Sequence, residues 1–196
     1  MSIRWLPVLY GLFVAGISAA IMTTADPGPE DLRAMIRATA FTSSVAFLPA
    51  FAASALRRLR PSPVTNWLVR NRRFLGLSVA ASHFWHLVAI VAFVRLYSSG
   101  QPVPQITLVF GSAGFVFLAL MAATSNDASQ RALGRAWDWL HKIGLYIVWL
   151  DFIFTYMGTA TVVPFHAVMT LSFAGAWVLR ILAYADERRR RLVPAT

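Results

Sequence analysis

Long apolar blocks separated by short polar ones set the architecture of this chain. The blocks fall at residues 5–22, 38–56, 73–97, 105–123, 136–156 and 164–184. Each predicts a helix of roughly membrane-crossing length, since about 20 residues at about 1.5 Å rise span a hydrocarbon core. The first apolar run exceeds the roughly 7–15 residues of a signal-peptide core, so it is read as a retained helix although Ala25 stands where cleavage would fall. Asp26, Pro27, Gly28, Pro29, Glu30 and Asp31 form an acidic turn, and Arg33 and Arg37 follow on an amphipathic lead-in. Arg57, Arg58 and Arg60 end the second helix, and Pro61 and Pro63 keep the loop that holds Asn66 and Trp67 from continuing it. Residues 98–104 read as a Gly/Pro turn, 127–135 as a polar loop and 158–163 as a tight turn, after which Pro164 opens the last helix. Pro49 is expected to kink the second helix, and Gly111 and Gly114 to let a neighbour approach the fourth closely.

Composition turns this pattern into a class. Hydrophobic residues make up 58% of the 196 and charged residues only 13%, against about a quarter charged in a soluble domain. So little charge cannot cover a globular surface, and the chain reads as an all-α polytopic membrane protein with one transmembrane domain over 1–196. A net charge of +10 could suggest nucleic acid, but the arginines flank apolar blocks, which suits an orientation signal better. Of the 18 basic residues, all but Arg33, Arg37 and Arg95 share one side with both termini. The positive-inside rule makes that side the cytoplasm of a bacterial-type inner membrane. The run 188–191 reads as a tail that binds lipid head groups. The absence of cysteine excludes disulfides, iron–sulfur clusters and thiolate ligands.

Four histidines and one acid inside an apolar block are the candidates for chemistry. His86 lies thirteen residues beyond Arg73, roughly 20 Å from the membrane edge, where a histidine is rare and usually functional. His83 is one turn inward on the same helix. His141 sits where the fifth apolar block begins, beside Lys142, and is open to two readings: hydrogen bonding at the interface or ligation. His166 lies near the outer end of the sixth helix and reads as interfacial. Asp151 needs a partner or a proton if buried. Counting along the third and fifth helices puts His83 and Asp151 at one depth, so they form a candidate intramembrane pair.

Two blocks carry a family resemblance. Thr124-Ser125, Gln130-Arg131, Leu133-Gly134-Arg135, Trp137, Leu140-His141-Lys142 and Tyr146 form the first; Arg70, Arg72, Arg73, Leu75-Gly76-Leu77 and His86-Leu87 form the second. In order and spacing they resemble the ferric-reductase-like transmembrane domain, and within it the haem-binding membrane subunit of the periplasmic methionine sulfoxide reductase system. The resemblance implies a six-transmembrane-helix bundle with His86 as an axial ligand to the iron of a b-type haem. A neutral imidazole suits that iron, and its second ring nitrogen can be fixed by a neighbour. The family's second histidine, thirteen residues after the one in Leu-His-Lys, is replaced here by Phe154. Two-haem relatives carry a histidine near position 72 or 73, where this chain has arginine, so His141 lacks that partner. His141, His83 and His166 remain further candidate cofactor-binding residues.

The function implied is transfer of electrons across the membrane to a periplasmic acceptor or to ferric iron, as the membrane subunit of an oxidoreductase. The chain has no GxGxxG and no room for flavin or nicotinamide domains. The donor is therefore expected to be separate: a soluble reductase with its flavin, or quinol. The alternative is a haem-free member of the fold, a membrane scaffold or a proton or small-solute pathway built on the His83–Asp151 pair.

Overall fold

The computed structural model describes residues 3–23, 28–97 and 105–192, without the side chains of 106–108 and 110. Among these the chain is helical throughout, with α1 (Leu6–Ile21), α2 (Pro29–Leu59), α3 (Pro63–Tyr97), α4 (Gln105–Ala123), α5 (Asp127–Leu133), α6 (Arg135–Met157) and α7 (Pro164–Leu192). Three of them, α2, α3 and α7, are long and apolar enough to cross a membrane. α1 and the Gly111–Ala123 part of α4 are shorter apolar helices. The turn expected at 98–104, and Ala25 with Asp26 and Pro27, lie outside the described residues.

Several boundaries differ from the sequence expectation, each for a local reason. α2 begins at Pro29 rather than 38 because Pro29 suits a first helical turn and the Asp31 carboxylate accepts from the Gly28 N–H at 2.9 Å. Pro29, Glu30 and Asp31 of the acidic turn, and the lead-in with Arg33 and Arg37, are thus its first turns. α3 begins at Pro63 rather than 73, so Asn66 and Trp67 are helical and not in a loop. Ser62 and Thr65 close a reciprocal cap: the Ser62 N–H donates to Thr65 Oγ1 at 2.9 Å, and the Thr65 N–H to Ser62 Oγ at 3.2 Å. The polar loop contains the short α5, capped by Asn126 Oδ1 on the Ser129 N–H at 2.7 Å and ended by Gly134 at φ +50°. The basic tail continues α7, where Asp186–Arg190 and Glu187–Arg191 pair one turn apart.

α2 and α3 form the most extensive pair, and α2, α3, α4, α6 and α7 contact one another in a ring, with α1 laid against α2 and α3. The interior is filled by Phe47, Phe51, Val79, Phe152, Tyr156 and Phe173. Lipid is as apolar as these side chains, so close backbone approach and interhelical hydrogen bonds must hold such helices together. Both are present. Gly11 lets α1 meet Ala81 of α3, and its carbonyl accepts from Trp85 Nε1 at 3.1 Å. Gly114 faces Asp151 across the α4–α6 contact, and Gly144 faces Met121 and Phe117. Nothing approaches Gly111, so the close contact expected there falls at Gly144 instead. A seam of hydroxyls joins α2 to its neighbours: Thr42 and Ser43 bond Ser82 at 2.8 and 2.9 Å, and Ser44 bonds the Tyr156 hydroxyl at 2.8 Å.

Candidate functional site

His83 and His86 stand on one face of α3, their ring centroids 5.4 Å apart. That face turns toward the interior because Val79, Ser82 and His83 are buried along it. Phe115 of α4 lies 5.4 Å from His83 and is stacked against His86 at 6.1 Å, and Phe152 of α6 meets His83 edge-on at 5.4 Å. The two imidazoles therefore project into an aromatic enclosure between three helices.

Their hydrogen bonding differs. Thr39 Oγ1 donates to the Met35 carbonyl at 2.7 Å and lies 3.0 Å from His86 Nδ1. A hydroxyl has one proton. When that proton is on the Met35 carbonyl, Thr39 accepts from His86 Nδ1–H, and in that tautomer the lone pair is on Nε2. His83 is buried, and its Nδ1 has no hydrogen-bond partner among the described residues. Such an orphan costs about 1–3 kcal/mol unless something unseen satisfies it.

These observations bear on whether haem suits the site. The donor set consists of neutral imidazoles in apolar surroundings, one held by a hydroxyl through its far nitrogen, as ligands to iron commonly are. His86, with Thr39 at its Nδ1, has that donor chemistry. The ring that α4 sets against it is Phe115, and Phe152 of α6 lies against His83. Phe154, the position level with His86 by count, is 48% exposed, whereas Phe152 is 3% exposed. Two residues along a helix are turned about 200°, so α6 presents Phe152 to His83 and leaves Phe154 half exposed. Asp151 sits against Gly114 of α4, and no hydrogen bond or ion pair joins it to His83 among the described residues. His166, at the start of α7, is hydrogen-bonded to Thr159 and lies edge-on to Tyr156.

The second constellation lies at the arginine-rich end. His141 stacks on Trp137 with centroids 3.9 Å apart, and its Nε2 lies 3.1 Å from Thr124 Oγ1. Trp137 Nε1 donates to the Thr124 carbonyl at 2.9 Å, so Thr124 organises both rings. Arg73 reaches Asp127 at 2.7 Å, tying α3 to α5. The two sequence blocks meet here around a cavity of about 320 Å³ lined by Arg70, Arg72, Arg73, Trp137 and His141. It joins two stretches far apart in the chain into one place, which their sequence alone does not show.

Thr39, Phe115 and Phe152 are the site residues that sequence reasoning missed. For Thr39 a signal exists: Thr39, Thr42, Ser43 and Ser44 form a polar patch inside an otherwise apolar block. For the two phenylalanines none does, because the chain has 14 and their rotation is set by packing.

No family model and no solved structure matches this chain. It is similar to the protein-methionine-sulfoxide reductase heme-binding subunit MsrQ of Ralstonia nicotianae, 33% identical over 121 residues, 59% of this chain and 54% of that protein. It is also similar to the protein of the same name from Herminiimonas arsenicoxydans, 28% identical over 99 residues, 48% of this chain and 45% of that protein. The chain thus spans about half the length of the curated relatives it matches. The likeness to the haem-binding membrane subunit, drawn from the blocks around 70–87 and 124–146, is borne out.

Proposed function

We propose that this chain is a six-span inner-membrane electron carrier that holds a b-type haem through His86, with both termini cytoplasmic. It would pass electrons from a separate donor to a periplasmic acceptor, for which the relatives' name favours a methionine sulfoxide reductase over ferric iron. The observation that carries the reading is the Thr39–His86 contact at 3.0 Å. It orients a mid-helix imidazole, partly buried beside His83 and Phe115, with the Nε2 lone pair left for a ligand role when Thr39 is the acceptor.

When bound, a haem supplies one-electron redox chemistry that no side chain here can perform. The chain's own residues do the rest. Thr39 orients the His86 ring and selects its tautomer, while Phe115 and Phe152 keep the surroundings apolar. His83, buried beside His86, offers a second imidazole on the same face. His141, held by Thr124 and Trp137 beside three arginines, is suited to a second, cytoplasmic-side group or to the point where electrons enter from a soluble reductase, its flavin or quinol. The arginines would take anionic substituents there.

The test is the visible spectrum of protein purified from cells supplied with haem. A Soret band is expected in the wild type, lost in His86→Ala and retained in His166→Ala. Equal Soret absorbance per protein in the wild type and His86→Ala would overturn the ligand assignment. A wild type without haem would leave the haem-free scaffold or proton pathway, in which His83 and Asp151 would have to act without the direct bond they lack here.

A further inference from the structure

A separate cavity of about 530 Å³ opens at the arginine-rich end between α2, α3, α6 and α7. Its walls bring together Arg72, Lys142 and Arg180 with Tyr146, Trp177 and Ile181. We propose that it binds the head group of an anionic phospholipid: Arg72, Lys142 and Arg180 hold the phosphate, and Trp177 and Ile181 flank the first part of the acyl chains.

The argument begins with charge. Arg72 donates to Ser54 Oγ at 3.0 Å, and Arg180 to the Phe51 carbonyl at 2.8 Å and the Tyr146 hydroxyl at 3.3 Å. Arg180 also lies over the rings of Phe51 and Tyr146 at 4.6 and 5.2 Å, and Lys142 over Trp139 at 5.5 Å. All these partners are neutral. Among the described residues none of the three cations has an ion pair, and the nearby Glu187 is taken by Arg58 and Arg191. Converging like charges with only dipoles and ring faces around them form an anion site whose anion the chain does not supply.

The walls say which anion. Trp177, Ile181 and Tyr184 line the cavity and are 41%, 45% and 66% exposed. A free phosphate would leave them bare, whereas acyl chains would cover them. Tryptophan and tyrosine also favour the level of the head groups, and basic pockets between spanning helices on this side of a membrane suit anionic lipid heads. The proposal rests on the membrane reading; Arg72 also lines the His141 cavity, whereas Lys142 and Arg180 line only this one, so their variants test it independently of haem.

The experiment uses full-length protein delipidated in dodecyl maltoside. Binding is followed by native mass spectrometry and thermal shift with phosphatidylglycerol, phosphatidylcholine or inorganic phosphate. Phosphatidylglycerol should bind and raise the unfolding temperature; the other two should not. Each cation removed should weaken binding about five-fold, as read in Arg72→Gln and Arg180→Gln. Because Arg180 also braces α2, Lys142→Gln is the decisive variant, having no hydrogen bond to lose. Equal binding of the two lipids, the same shift from inorganic phosphate, or unchanged affinity in Lys142→Gln would overturn the proposal. Reconstitution into phosphatidylcholine nanodiscs tests the membrane reading separately, since insertion there requires no anionic lipid.

Discussion

Thr39→Val isolates the one contact on which the haem reading turns. The substitution keeps the shape of the side chain and replaces Oγ1 by a methyl. Thr39 is fully buried at 0% exposure, so no bulk water replaces the lost oxygen. The Met35 carbonyl keeps its place in the helix, but His86 Nδ1–H loses its acceptor. Leaving a buried donor unsatisfied costs about 1–3 kcal/mol. Removing the partner that orients a metal-binding histidine typically costs about 10–100-fold in affinity, which at about 1.4 kcal/mol per decade is a similar amount. The assay is haem titration into apoprotein in detergent, followed at the Soret band, with thermal unfolding recorded on the same samples. Thr39→Val should weaken haem binding by about one to two decades, and Thr39→Ser, which keeps the hydroxyl, should restore it. Thr42→Val is the control: Thr42 is also buried, but its hydroxyl bonds Ser82 at 2.8 Å and touches no histidine. It should lower stability by about 0.5–1.5 kcal/mol and leave haem affinity alone. Unchanged affinity in Thr39→Val, or the same loss in Thr42→Val, would refute the reasoning.

Phe152→Ala should be among the most damaging core changes, at about 3–5 kcal/mol, because Phe152 packs on Phe47 and Phe173 at 5.2 Å each as well as on His83; unfolding in detergent measures it. Asp127→Asn should cost less than about 1 kcal/mol, since the Arg73–Asp127 pair has side chains 43% and 75% exposed; a larger loss of stability would mean that the pair does more than pin α5. Reporter fusions at both termini should give cytoplasmic signals, and an external signal from either would reject the proposed orientation.

The helical class was legible because apolar blocks and their arginine stops are one-dimensional signals. The lengths of α2, α3 and α7 were not, since hydropathy stops where charge starts and helix does not. Ser62 with Thr65, and the pairs Asp186–Arg190 and Glu187–Arg191, carry helix through stretches that look like loop. Grouping the arginines on one side was also legible: Arg58 meets Glu187, and Arg72, Lys142 and Arg180 share one cavity although they come from separate elements.

Depth and rotation separate at the histidines. Counting residues from the basic edge placed Asp151 level with His83, and the structure puts its neighbour Phe152 against the His83 ring. Phe152 stands one residue's rise, about 1.5 Å, along α6 from Asp151. Rotation about the helix axis was not available from such a count. Each residue turns about 100°, and which face points inward is decided by the small residues that let helices touch. On α6 the buried stripe is Gly144, Val148, Phe152 and Tyr156, one residue every turn, and Gly144 admits Met121 and Phe117 of α4. That stripe turns Phe152 to His83 and Asp151 to Gly114, with Phe154 half exposed. An argument from the missing histidine at 154 thus rests on a depth count that carries no rotation, and Phe154 is 48% exposed in this packing. Phe115 packs on both imidazoles and Phe152 on His83 alone, so a haem held through His86 would first require the Phe115 ring to move.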